Sequence, residues 1–200
     1  MGLDAVVEGY VAAMRPKGEA FAAALKDWCA AAAGGREGLI ADVHKFAGSA
    51  GSAGFARLSA VATLIEIALR ALPAEAPDRR DVAQIACFGE DFADEIAALA
   101  PVRSSLLSGD ETPVLRPFTG PARVVLAGLP PAAQAVLAHL VEQRLGFAFP
   151  LPDPATLAAV PPGRAPDLAV VGEPVAGLGF PVAVFAPRRL DALTADWPVE

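Results

Sequence analysis

Residues Val43–Gly54 read VHKFAGSAGSAG and set His44, one of only two histidines, beside three glycines in sequence that otherwise has helical spacing. An unperturbed imidazole titrates near pH 6.5, so at pH 7 one ring nitrogen keeps a free lone pair. Such a nitrogen is a nucleophile that can attack phosphorus. A group carried on it needs positioning and charge neutralisation more than further acid-base machinery. Lys45, a cation, and Ser49, a hydroxyl donor, lie nearby.

Residues three and four apart share a helix face. For His44 these are Ala41, Ala47 and Gly48, with Gly51 one turn further, and none carries a long side chain. Each glycine inside a helix costs about 1 kcal/mol relative to alanine. Gly48 and Gly51 therefore read as clearance for a large docking partner, and Gly54, just before Phe55, as a left-handed helix cap. Lys45 lies about 100° around the helix from His44 and must curl back to reach a group on it.

Other chemistries find less support. Ser49 and Ser52 lie near His44, but no GxSxG elbow accompanies them, so hydrolysis by a Ser-His pair is disfavoured. There is no GxxxxGK[ST] loop for nucleotide hydrolysis and no CxxC or HExxH for a metal. Cys29 and Cys87 sit in apolar, helix-like sequence and read as core packing, and His139 reads as a surface residue. The net charge of −7 and the lack of a basic run argue against nucleic acid as a partner. The N-terminus MGLDAVVEGY does not resemble a signal peptide, and Pro130, Pro131 and Gln134 interrupt the longest uncharged stretch. A cytoplasmic protein without a membrane partner is expected.

The elements that must hold His44 come from an alanine-rich first half. The chain is 54% hydrophobic but only 6% aromatic, which favours close-packed helices. DAVVEGYVAAM reads as a short helix ending at Arg15-Pro16, since proline discourages helix in the residue before it. A second helix carries Phe21, Leu25, Trp28 and Ala32 and stops at Gly34-Gly35. The segment from Arg36 carries Leu39, Ile40, Val43 and Phe46; the next carries Phe55, Leu58, Val61, Ile65 and Leu69. A last helix opens on Asp78 as N-cap and carries Val82, Ile85, Phe88, Phe92 and Ile96. Short loops between such stripes predict an up-and-down helical bundle over residues 1–105.

Residues 106–121 read as a linker. Beyond them RVVLAG, FAFPL, DLAVVG and PVAVFAP are short apolar runs, and PPAAQAVLAHLVEQRLG reads as a helix after the first. This predicts a small α/β domain with a mostly parallel sheet over 122–200.

The His44 segment is similar to the histidine phosphotransfer (HPt) domain of bacterial phosphorelays. The resemblance covers residues 1–105 and rests on His44, Phe46, Gly48, Ser49, Ala50 and Gly54, followed by Leu58 and Glu66 in the next helix. It implies a four-helix bundle whose His44 accepts a phosphoryl group from a receiver aspartate and passes it to another receiver. It also implies partners among response-regulator receiver domains and hybrid histidine kinases, with Mg²⁺ supplied by the receiver and no cofactor in this chain. The chain would be a phosphoryl carrier with no ATP-dependent activity of its own. The lysine usual three residues after the histidine is Ala47 here, which keeps open a second reading: an interaction module that binds receivers without transferring phosphate. The second half resembles, in fold alone, a receiver domain with RVVLAG and PDLAVVG as first and third strands. Ala127, Gly128 and Leu129 stand where acids are expected, Gly172 where the acceptor aspartate is expected, and Ala186 and Pro187 where a threonine is expected. A pseudo-receiver serving as a docking or dimerisation surface is the expectation.

Overall fold

The computed structural model describes residues 2–31, 34–74, 77–109, 114–151, 153–193, 195 and 197. The chain divides into two compact units, one of Met1–Arg70 with Ile85–Val114 and the other of Ala71–Gln84 with Leu115–Glu200. Among the described residues no helix is long and apolar enough to cross a membrane.

The first unit is a four-helix bundle of α1 (Leu3–Ala31), α2 (Arg36–Ser52), α3 (Ala56–Ala71) and the part of α4 (Arg79–Ala97) that belongs to it. The expected break at Pro16 does not occur: α1 is one helix of 29 residues with Pro16 inside it. A proline in a helix interior removes one hydrogen bond and crowds the preceding turn. Packing on both sides of Pro16 overrides that cost. Val7, Phe21, Leu25 and Trp28 are buried along one stripe. A side chain at Gly18 would collide with Ile96, so glycine there brings α4 close. Next to the proline, Arg15 donates to the carbonyl oxygens of Ala97, at 3.0 Å, and of Leu99, filling acceptors that the end of α4 leaves open. Ala32, read as the end of the α1 stripe, lies outside the described residues.

Phe21, Phe46 and Phe92 meet at the centre of the bundle with ring centroids 5.0 to 5.8 Å apart, from α1, α2 and α4. Val43, Val61, Ile65, Leu69, Ile85 and Phe88 are buried around them. Gly54 has φ +80° and closes α2 in the expected left-handed cap. The amide of Phe55 donates to the Ala50 carbonyl and that of Gly54 to the Gly51 carbonyl, the paired bonds of a Schellman motif. The stretch after Pro101 begins as ordered structure, because Ser104 Oγ donates to the Ala53 carbonyl at 2.7 Å and caps a four-residue helix, α5 (Ser105–Ser108).

In the second unit β1 (Ala122–Ala127), α6 (Pro131–Gln143), β2 (Gly146–Leu151), β3 (Leu168–Val171), β4 (Val182–Val184) and the short α7 (Leu190–Leu193) follow in chain order. The sheet order is β2-β1-β3-β4 and every pairing is parallel. This is the strand order that begins one class of doubly wound sheets. Val125, Ala127, Ala169 and Val171 build a core on one face with Leu157, and the helices that usually connect parallel strands are reduced there to short 3-10 turns and loop. Toward the sheet edge, Phe147 and Phe149 on β2 are left 58% and 48% exposed.

The sequence reading assigns residues 71–84 to the helical half, whereas in the structure they belong to the second unit. Polar side chains tie them to its backbone. Arg80 donates to the Gly172 carbonyl at 3.1 Å. Gln84 donates to the Arg188 carbonyl and accepts from the Arg188 amide, at 2.6 and 3.0 Å. Asp78 caps α4 as expected, accepting from the Arg80 amide at 2.7 Å.

Candidate functional site

α2 buries Leu39, Ile40, Val43 and Phe46, the stripe that its sequence period predicts, and also Ala50. His44, next in sequence to Val43, falls on the rim of that stripe. Its side chain is 69% exposed, and Nδ1 stands 3.1 Å from both oxygens of Glu66 on α3. Glu66 also receives Arg70, whose Nε and Nη2 each lie 2.9 Å from Oε1 one turn along α3. Partial burial works to raise the Glu66 carboxyl, but hydrogen bonds from Arg70 and then His44, with their charges, outweigh it and hold the group below the usual carboxylate range.

An ionised carboxylate only accepts, so the nitrogen facing it must be the donor. That makes His44 the Nδ1–H tautomer, with the lone pair on Nε2. A ring held at one nitrogen and exposed at the other is arranged for nucleophilic attack on something arriving from solvent.

The expected site residues separate in the structure. Gly48 shares the face of His44, and a Cβ there would meet nothing within 4 Å, so its bareness does keep the surface clear. Gly51 does something else: a Cβ there would stand 3.1 Å from Ser59 Oγ, so this glycine lets α3 approach α2 instead of clearing space for a partner. Ser59 uses that approach to donate to the Ala47 carbonyl at 2.7 Å. Lys45 bonds Asp42 at 3.0 Å. Ser49 faces α1, with Oγ 3.4 Å from the Tyr10 hydroxyl, whose ring stacks on Phe55. Burial raises the Tyr10 hydroxyl despite that bond. The structure therefore joins His44 to Glu66, Arg70 and Gly48, and not to Lys45 or Ser49. Arg70 was the residue without a sequence signal of its own, since a Glu-Arg pair four apart is an ordinary helix-surface device.

In sheets with this strand order ligands sit beyond the carboxyl ends of the strands, where β1 and β3 diverge. Here the end of β3 has no room for a side chain. The Gly172 amide donates to the Ala127 carbonyl at 3.0 Å. A Cβ on Gly172 would run into the Gly128 carbonyl oxygen. The N-terminus of α6, where backbone N–H groups converge on an anion, is already occupied: Asp81 accepts from the amides of Ala132 and Ala133 at 3.2 and 2.9 Å. Burial raises the Asp81 carboxyl above its usual value, and the two amide bonds offset only part of that. Among the described residues no group of three or more His, Cys, Asp or Glu is placed to hold a metal ion.

The family model of the Hpt domain matches residues 5–100. No curated protein matches the chain, and no solved structure does.

Proposed function

We propose, from the match of the Hpt domain model to residues 5–100, that His44 accepts a phosphoryl group from an aspartate of a partner receiver and passes it to another. The observation that carries this reading is the pairing of Nδ1 with Glu66 in a ring 69% exposed. The Nε2 lone pair attacks phosphorus as the bond to the donor's carboxylate oxygen breaks and takes its electron pair with it. The ring keeps its Nδ1 proton and becomes a cation facing the Glu66 carboxylate. In the second transfer a receiver carboxylate attacks, the N–P bond breaks, and the pair returns to Nε2. Gly48 leaves room for the partner, and the Mg²⁺ that acyl phosphates require comes with the receiver. Relay partners of this kind are cytoplasmic, and we place the chain there.

The second unit takes no phosphoryl group on this reading. Its acceptor position is Gly172, with no room for a side chain, and Asp81 fills the adjacent helix end. We read it as a pseudo-receiver.

The test is incubation of the full chain with a panel of phosphorylated receivers, beside His44→Ala. Label on the wild type and none on the variant supports the carrier. Receiver binding that survives His44→Ala with no label on either chain supports the interaction module instead, a reading favoured by Lys45 being turned toward Asp42.

A further inference from the structure

A phosphoryl group on His44 brings negative charge to a helix surface whose expected lysine is missing. We propose that Arg70 is the cation that receives this charge, doing from α3 what a lysine at position 47 would do from α2. The proposal rests on the phosphotransfer reading of His44.

The geometry singles out Arg70 in three ways. First, position 47 is an alanine, so α2 offers no cation on the face of His44. Lys45 is 73% exposed and paired with Asp42, about 100° around the helix. That ion pair is weak enough to break, but the direction of the side chain is set by its place on the helix.

Second, Arg70 and His44 already share one atom. Glu66 Oε1 lies 2.9 Å from Arg70 Nε and 3.1 Å from His44 Nδ1, which sets Arg70 Nε within those two bonds of the Nδ1 edge of the ring, one ring width from Nε2. Third, a guanidinium has five donors in a rigid fork, and Nε and Nη2 are the atoms turned to Glu66. Nη1 and the second hydrogen of Nη2 remain for phosphoryl oxygens. The side chain is 56% exposed.

In the transferring state the charge spreads over the three equatorial oxygens of the phosphoryl group, and a fixed donor beside them lowers the barrier in both directions. A single buried donor is worth about a hundredfold to a thousandfold in such a role. For a solvent-screened arginine we expect about two- to fivefold. Arg70 also carries a positioning role, because it helps keep Glu66 ionised and so helps fix the tautomer of His44.

The test uses the full chain phosphorylated with phosphoramidate, a small donor that needs no partner, and followed by ³¹P NMR across pH. In the wild type the phosphohistidine resonance titrates with a midpoint that Arg70 holds low. Arg70→Ala and Arg70→Gln move that midpoint up, Arg70→Lys restores it in part, and Lys45→Ala leaves it in place. In parallel, uptake from a phosphorylated receiver slows about two- to fivefold in Arg70→Ala and does not change in Lys45→Ala. Circular dichroism verifies that each variant keeps its helices.

Two results overturn the proposal: a midpoint unchanged in both Arg70→Ala and Arg70→Gln, or a shift produced by Lys45→Ala. Loss of the resonance in His44→Ala alone, with either result, leaves the carrier reading standing and removes only Arg70. Absence of phosphohistidine from the wild type under phosphoramidate and under every receiver contradicts the carrier reading itself, and Arg70 falls with it.

Discussion

Glu66 and Asp81 are two carboxylates put to opposite uses. Glu66, on the rim of the helical bundle, holds one nitrogen of His44 and leaves the other in solvent. Asp81, fully buried in the second unit, holds two amides at the start of α6 and leaves no donor there for an incoming anion. The first acid orients a group that must stay available; the second fills a place where a ligand would otherwise go. The difference follows from solvent. The exposed pair costs little to open and close, whereas a buried carboxylate with two amide bonds is part of the core and removing it strands both donors.

Changes aimed at each side of this contrast should differ in kind. The largest effect is expected of His44→Ala, which abolishes acid-labile label while shifting stability by less than about 0.5 kcal/mol, because the side chain is exposed; thermal unfolding and label counting check both halves. Gly172→Asp places a carboxylate at the end of β3 in the second unit. Its Cβ meets backbone that has no soft direction to move, so the variant should lose about 3 kcal/mol and gain no phosphorylation, as read by denaturant unfolding and phosphate analysis. A stable Gly172→Asp chain that takes up phosphate would break the comparison.

Asp81→Ala should cost about 1–3 kcal/mol by leaving the Ala132 and Ala133 amides unpaired. Asp81→Asn separates charge from hydrogen bonding. The folded chain raises this carboxyl, so it binds its proton more tightly than the unfolded chain does, and this contribution to stability falls as pH rises from the ordinary carboxylate range through the raised value. The Asn variant should lack that component in a pH series of unfolding curves. Glu66 has the opposite sign: its carboxyl is held low, so its contribution is present above the ordinary carboxylate value and is lost as pH falls below it. Glu66→Gln should slow phosphoryl uptake about tenfold while leaving label on His44, since an amide orients the imidazole less firmly than a carboxylate.

The smallest change separates two neighbouring glycines. Gly48→Ala should stabilise the bundle by up to about 1 kcal/mol, because the new methyl enters open space in a helix interior. Gly51→Ala should gain much less, since Ser59 must give way. Equal gains at both positions would mean that α3 does not approach α2 as closely as described.

Much of the bundle was legible in the sequence because its signals are local. Leu39, Ile40, Val43 and Phe46 repeat at helical spacing, Asp78 is a strong N-cap type, and Gly54 precedes an apolar residue as Schellman caps do. The four strands were legible for the same reason, as short apolar runs bounded by Pro and Gly. What escaped depends on contacts distant in sequence. Pro16 reads as a break until Arg15 and Gly18 are seen against the end of α4, some 80 residues on. Gly51 looks like clearance until Ser59 is placed beside it. Asp81 and Gln84 look like a helix surface, yet their partners lie 51 and 104 residues away. At the site, His44 and Gly48 could be read from one helix face, and the misdirection of Lys45 from the 100° step, whereas Arg70 becomes visible only when α3 is laid beside α2.

His44 is the one phosphoryl site proposed and none is proposed in the second unit, and mapping where the phosphate resides tests this most directly. The full chain, labelled by a competent phosphorylated receiver and digested under neutral conditions, should carry all of its label as acid-labile, base-stable phosphate on the peptide containing His44. Hydroxylamine-sensitive acyl phosphate on any peptide from residues 115–200 would contradict it.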